Sequence, residues 1–205
     1  MRWVLLAAVV SFAGCSTQRY FTPRENVNGT GPGGHPAAVY ALGGTPPSGE
    51  VRVWSGGAEV VAGDAGDAVE LHVAFELENT GSEAITVDAG AVQCTDLWLD
   101  GQRLPALAPV RLEGQPEAAP GSSAVLQAWF RPAAGRPRDI DGFSLRFSVR
   151  AGDRVLLTQV VPFVPYFARD RWDDDRSFWY GGYWGRPYYW GPGFGYGFYG
   201  HYWCR

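Results

Sequence analysis

The stretch Val69-Glu70-Leu71-His72-Val73-Ala74-Phe75-Glu76-Leu77-Glu78 alternates between two kinds of side chain for ten positions. In an extended backbone successive side chains point to opposite faces, so Val69, Leu71, Val73, Phe75 and Leu77 share one face. The other face receives Glu70, His72, Ala74, Glu76 and Glu78. A segment of this kind is a strand with one face in a core and one toward water. It cannot serve as an amphipathic helix, whose apolar positions recur every three or four residues. Gly142-Phe143-Ser144-Leu145-Arg146-Phe147-Ser148-Val149-Arg150 repeats the pattern, with Phe143, Leu145, Phe147 and Val149 inward.

Further strands are predicted at Val51–Trp54, Ala58–Val61, Ala84–Val87, Thr95–Leu99, Ala124–Phe130 and Val155–Val161. Asn79-Thr80-Gly81-Ser82, Asp100-Gly101 and Ala151-Gly152-Asp153 supply turns between them, the last closing a hairpin. Seven or eight short strands with turn signals roughly every ten residues predict an all-β, antiparallel sandwich over 50–165. The turns Asn79-Thr80-Gly81 and Pro120-Gly121-Ser122 resemble those of bacterial immunoglobulin-like domains. In such domains an Asn-x-Gly turn ends one long strand and a Pro-Gly-Ser turn opens another. The resemblance implies an Ig-like β-sandwich that binds or spaces rather than reacts, without the Cys, Trp and Cys arrangement of antibody domains.

The chain begins Met1-Arg2-Trp3, runs through apolar Val4 to Val10, and reaches Ser11-Phe12-Ala13-Gly14-Cys15. One arginine before a short apolar run reads as a secretory signal over 1–14, too short for a membrane anchor. Phe12-Ala13-Gly14-Cys15 resembles the bacterial lipobox, with Phe where Leu is usual. The resemblance implies cleavage before Cys15 and acylation of its thiol, so that acyl chains hold the mature protein to a membrane. Ser16, where Asp would mark inner-membrane retention, implies the outer membrane. Residues 15–49 are rich in Gly, Pro, Thr and Asn and predict a flexible tether between the lipidated cysteine and the sandwich.

From 166 the composition changes. A charged connector, Ala168-Arg169-Asp170-Arg171-Trp172-Asp173-Asp174-Asp175-Arg176, leads into 177–205, where 14 of 29 residues are aromatic and 8 are glycine. That segment holds no aliphatic and no acidic side chain, so it predicts a low-complexity tail with no ordinary core. Three readings stay open: a disordered segment, a cover for the sandwich, or a contact with lipid or sugar. Trp179, Tyr183, Trp184, Tyr189, Trp190 and Trp203 are the binding candidates, because such rings combine an apolar body with a wet polar tip.

The chemical repertoire is sparse. With 17 arginines, no lysine, 21 acidic residues and a net charge of −4, a nucleic-acid partner is not expected. His35, His72 and His201 lack ligand spacing, and Asp139-Ile140-Asp141-Gly142 and Asp173-Asp174-Asp175 lack the distal Glu of a calcium loop. No metal, cofactor or catalytic centre is expected, and the protein reads as non-enzymatic. Its expected partners are the membrane, through the lipid anchor, and envelope proteins, glycan or lipopolysaccharide. In an oxidising compartment Cys94 and Cys204 either form a disulfide or remain as a buried inert thiol and a free one.

Overall fold

The computed structural model describes residues 18–62, 66–133 and 135–166. These form a sandwich of two packed antiparallel sheets, as the alternating segments predict. One sheet has six strands. In spatial order they are β2 (Val27–Thr30), β3 (Pro36–Leu42), β4 (Gly49–Val61), β5 (Ala68–Asn79), β11 (Ser123–Phe130) and β9 (Arg111–Gly114). The other sheet runs β1 (Tyr20–Pro23), β13 (Arg154–Tyr166), β12 (Ile140–Ala151), β6 (Ile85–Val87) and β10 (Glu117–Ala118). Beside β12 lies β7 (Gln93–Leu99), which pairs in turn with β8 (Gln102–Arg103).

The inward faces are those the alternation selects. Val69, Leu71, Val73, Phe75 and Leu77 of β5 face Phe143, Leu145, Phe147 and Val149 of β12 in one continuous core. Phe75 and Phe147 meet edge to face, their ring centres 5.2 Å apart, a preferred geometry for aromatic quadrupoles. The hairpin predicted through Ala151-Gly152-Asp153 pairs β12 with β13 from Phe143↔Phe163 to Ala151↔Arg154, with a register shift between Val149 and Arg150.

Two sequence readings need correction. Val51–Trp54 and Ala58–Val61, expected as separate strands, are one strand, β4, with a β-bulge at Ser55-Gly56-Gly57 between them. The Ser55 hydroxyl accepts from Gly57 N–H at 3.1 Å and donates to His72 C=O at 3.0 Å, so the strand continues past the extra residue. The flexible tether is the larger correction. Of residues 15–49, those from Gln18 onward belong to the sandwich and supply β1, β2 and β3. The few apolar residues scattered among the glycines decide this: Phe21, Ala37, Ala38 and Leu42 are all fully buried. A composition poor in apolar side chains still orders when the few it has include enough that are buried.

The sandwich has two distinct ends. At one, the β3–β4 turn, the Asn79-Thr80-Gly81 turn, the Pro120-Gly121-Ser122 turn and the β12–β13 turn gather. Buried Asn79 organises it: its side-chain amide donates to Glu83 C=O at 2.8 Å and Ala118 C=O at 2.9 Å, while its Oδ1 accepts from Gly81 N–H. Its backbone N–H donates to Ser122 C=O, which joins the two turn motifs. The opposite end carries the tip of the β4–β5 hairpin, the β11–β12 connection, the Asp100-Gly101 turn, and both the first and last described residues.

Candidate functional site

Entry of the chain into the sandwich is the most heavily bonded feature of that second end. Arg19 exchanges two backbone hydrogen bonds with Ala58 of β4, at 2.9 and 2.7 Å. Its guanidinium donates to Arg138 C=O. Gln18 donates to Gly56 C=O at 3.2 Å and accepts from the Tyr20 hydroxyl at 2.9 Å. The chain then crosses to the other sheet, where Tyr20 through Pro23 pair with Tyr166 through Phe163. Phe21 lodges between the sheets with its ring edge-on to Phe143 at 5.3 Å. Tyr20 and Tyr166 face each other with ring centres 6.2 Å apart. Where the described chain begins and where it ends are therefore neighbours.

A second arrangement covers the outer face of the six-stranded sheet, which the alternation assigns to water. Four strands contribute one side chain or backbone surface each. Gly56 of the β4 bulge lies against the His72 ring, so close that a Cβ there would stand 2.1 Å from Nδ1. His72 stacks on Trp129 of β11 at 4.8 Å and 15°. The Arg111 guanidinium of β9 caps the indole at 3.9 Å from its centre. Register explains the row: Gly57 opposes His72, His72 opposes Trp129, and Trp129 opposes Arg111. Beside it Glu70, only 7% exposed, accepts from Arg131 at 2.5 Å and Arg111 at 3.4 Å. Trp54, Ala37 and Ala74 form a small second cluster on this face, with Gly31 pressed against the indole. Periodicity missed this layer because it reads one strand at a time; Trp54 and Trp129 at outward positions were its only sequence signal.

Burial lowers the pKa of His72 below its ordinary value, and the charges of His35 and Arg111 push the same way against the opposing influence of Gln127. The imidazole is held neutral as a stacking plate. Cys94 faces inward from β7, fully enclosed, as a free thiol. Burial, with a smaller contribution from Asp96, raises its pKa to about 12, which leaves no useful thiolate near neutrality. Of the paired carboxylates weighed for calcium, Asp139 accepts from Arg136 N–H and Asp141 accepts from Gly101 N–H, so both serve local turns. Among the described residues no cluster of three or more His, Cys, Asp or Glu could hold a metal.

The other sequence candidates are not brought together here. Cys15, Cys204, Trp179, Tyr183, Trp184, Tyr189, Trp190 and Trp203 lie outside the described residues, as do His201 and Asp173-Asp174-Asp175. The proposed disulfide thus has one member in the core and one beyond the described chain. Open depressions among the described residues include one along Gln93, Thr95, Arg103 and Arg146 and another along Thr86, Asp88, Glu117 and Arg150. No helix among the described residues is long and apolar enough to cross a membrane. Compared with family models, with curated proteins and with solved structures, the chain has no match.

Proposed function

We propose that this chain is a lipid-anchored protein of the bacterial envelope whose sandwich acts as a binding or scaffolding module, without catalysis. One observation carries the reading. Gln18 and Arg19 are bonded into the sandwich three and four residues after Cys15. A cysteine this close in sequence to the folded domain, once acylated, would hold the sandwich directly at the bilayer, which supports the reading. Four residues lie between Cys15 and Tyr20, and the five steps that join them span at most about 18 Å when fully extended.

The groups with chemical potential are engaged in packing. Cys94 is sealed in the core with its thiol protonated, and His72 is a neutral plate between Gly56 and Trp129. This favours a module whose work is done by surface and position. Glycan or lipopolysaccharide contact through the tail aromatics is the alternative, supported by their number and by the absence of acidic residues among them.

The test is direct. In its native host the N-terminal peptide should carry acyl chains on Cys15 by mass spectrometry. Cys15→Ala should leave the protein extractable by carbonate, which strips peripheral contacts but not acyl anchors. A Cys15→Ala protein that stays fully in the carbonate-washed membrane would sink the anchor reading.

A further inference from the structure

The edges of the two sheets are unequal. An unpaired strand edge presents a row of free N–H and C=O groups, and sequences ordinarily blunt it with charge, proline, bulges or brevity. β2 is four residues long, with a register shift between Val27 and Gly29. β9 carries Arg111 and Glu113 and ends at Gly114, whose φ is 94°. β8 and β10 have two residues each. β13 differs. β1 covers it only from Phe163 to Tyr166, with Arg24 N–H reaching Pro162 C=O at 2.9 Å. Among the described residues no strand lies along that side of Val155–Val161, a run of about 23 Å. It holds no charge, glycine or proline, and its one irregularity is at its start, opposite Val149 and Arg150.

The main chain there is aimed outward. Pro162 C=O points to the β1 side, and peptide groups alternate sides along a strand, so the N–H and C=O of Val160 and Thr158 point to the open edge as well. Val160 is 44% exposed and Val155 53%, so apolar surface accompanies the free hydrogen-bonding groups. Register gives the adjoining row on the outer face: Gln93 of β7 opposes Arg146 of β12, and Arg146 opposes Val160. The next place in that row belongs to whatever pairs with Val160. Arg146 is exposed and has no ion pair among the described residues, whereas Asp96 in the same depression is taken by Arg103. The row therefore approaches the open edge with an uncompensated positive charge. A second copy fits this edge poorly. Pairing Thr158 with Val160 across a two-fold axis brings Leu156 of each copy to Pro162 of the other, where Arg24 already lies. A free strand carries no such obstruction.

We propose that the open edge of β13 at Thr158 and Val160 takes an extended strand from another protein, with an acidic side chain beside Val160 that meets Arg146. This deepens the reading of the sandwich as a binding module and makes no use of acylation at Cys15, so the two fail in different experiments. The full chain carrying Cys15→Ala, isotope-labelled, is titrated with the capped peptide Thr-Val-Asp-Val-Thr-Val-Thr and followed by amide NMR and hydrogen exchange. Shifted resonances and slowed exchange at the Thr158 and Val160 amides are expected. Val160→Pro removes one edge N–H without touching the ladder to β12, and should weaken binding by about tenfold. Val160→Lys, which leaves the backbone alone, should also weaken it and serves if the proline variant does not fold. Exchanging the peptide's Asp for Arg should weaken binding by about threefold, and Arg146→Gln should erase that difference. No response at either amide would overturn the docking edge, and equal binding of the two peptides would overturn the acidic partner. Thr158 and Val160 amides already protected in the unliganded monomer would overturn it in favour of a segment of the chain itself. The same protection in a dimer, by light scattering, would overturn it in favour of a second copy.

Discussion

His72 and Trp129 lie ring against ring across β5 and β11, 4.8 Å apart and 15° from parallel, with Arg111 closing the far side of the indole. Burial disfavours the charged imidazole and Arg111 repels it, so the folded state favours the neutral ring.

Stability should therefore fall as the solution is acidified. The folded pKa of His72 lies below the ordinary 6.5, so under that pH the unfolded chain binds the extra proton and gains from it. This contribution is fully present above pH 6.5 and is lost as pH falls through the folded value. Urea midpoints at pH 8 and pH 5 should differ more in the parent protein than in His72→Phe, which keeps a stacking ring and removes the proton site. Equal differences would show that His72 carries no such penalty.

Phe21 separates a folded N-terminal strand from a tether. It is fully buried against Phe143, so Phe21→Ala should cost about 3–5 kcal/mol. A change below about 0.5 kcal/mol in denaturant unfolding is what a solvated tether would give.

Phe75→Ala and Phe147→Ala should each cost about 3–5 kcal/mol as well. Because the two rings touch, the double variant should depart from additivity by roughly 0.5–3 kcal/mol. Strict additivity would mean that the two sheets do not meet at these residues.

Gly31→Ala probes the outer layer. A Cβ at Gly31 would stand 2.5 Å from the indole of Trp54, so the ring or the backbone at Gly31 must shift, at about 1–3 kcal/mol. Trp54→Ala in the same background should remove most of that penalty. Its persistence would mean the clash is not with Trp54.

Cys94 should resist alkylation by iodoacetamide in the native protein and react within the unfolded chain. Its pKa of about 12 sets a second window. Between the ordinary value of 9.0 and about 12, the unfolded thiol ionises while the folded one does not, so native stability declines with rising pH. Cys94→Ala should remove that part of the decline. A Cys94 that alkylates readily without denaturant would contradict its place in the core.

The architecture was legible where one strand carries its own evidence. The alternation in β5 and β12 gave the inward faces residue by residue, since burial on one side of a pleated strand leaves a period of two. Two kinds of information were not legible. The glycines of 29–34 and 43–49 suggested solvated chain, yet Gly31 is required because an indole lies against it, and only the fold reveals that neighbour. The row Gly56, His72, Trp129 and Arg111 is likewise a property of register among four strands, and no single stretch of sequence contains it. Glu70 illustrates the cost of reading faces alone: its position is outward, and Arg111 and Arg131 nevertheless enclose it.

The pairing of β1 with β13 also sets an order of events in building the molecule. Among the described strands β1 is synthesised first, and the strand that receives it, along Phe163 through Tyr166, is synthesised last. The slot for Phe21 is completed by Phe143, itself stacked on Phe163 at 4.7 Å, and both rings arrive late. Contacts so distant along the chain are slow to form, because loop closure must precede their reward. A nascent chain stopped short of β13 leaves β1 without its ladder and the core open along one edge. Closure of this edge thus waits on β13.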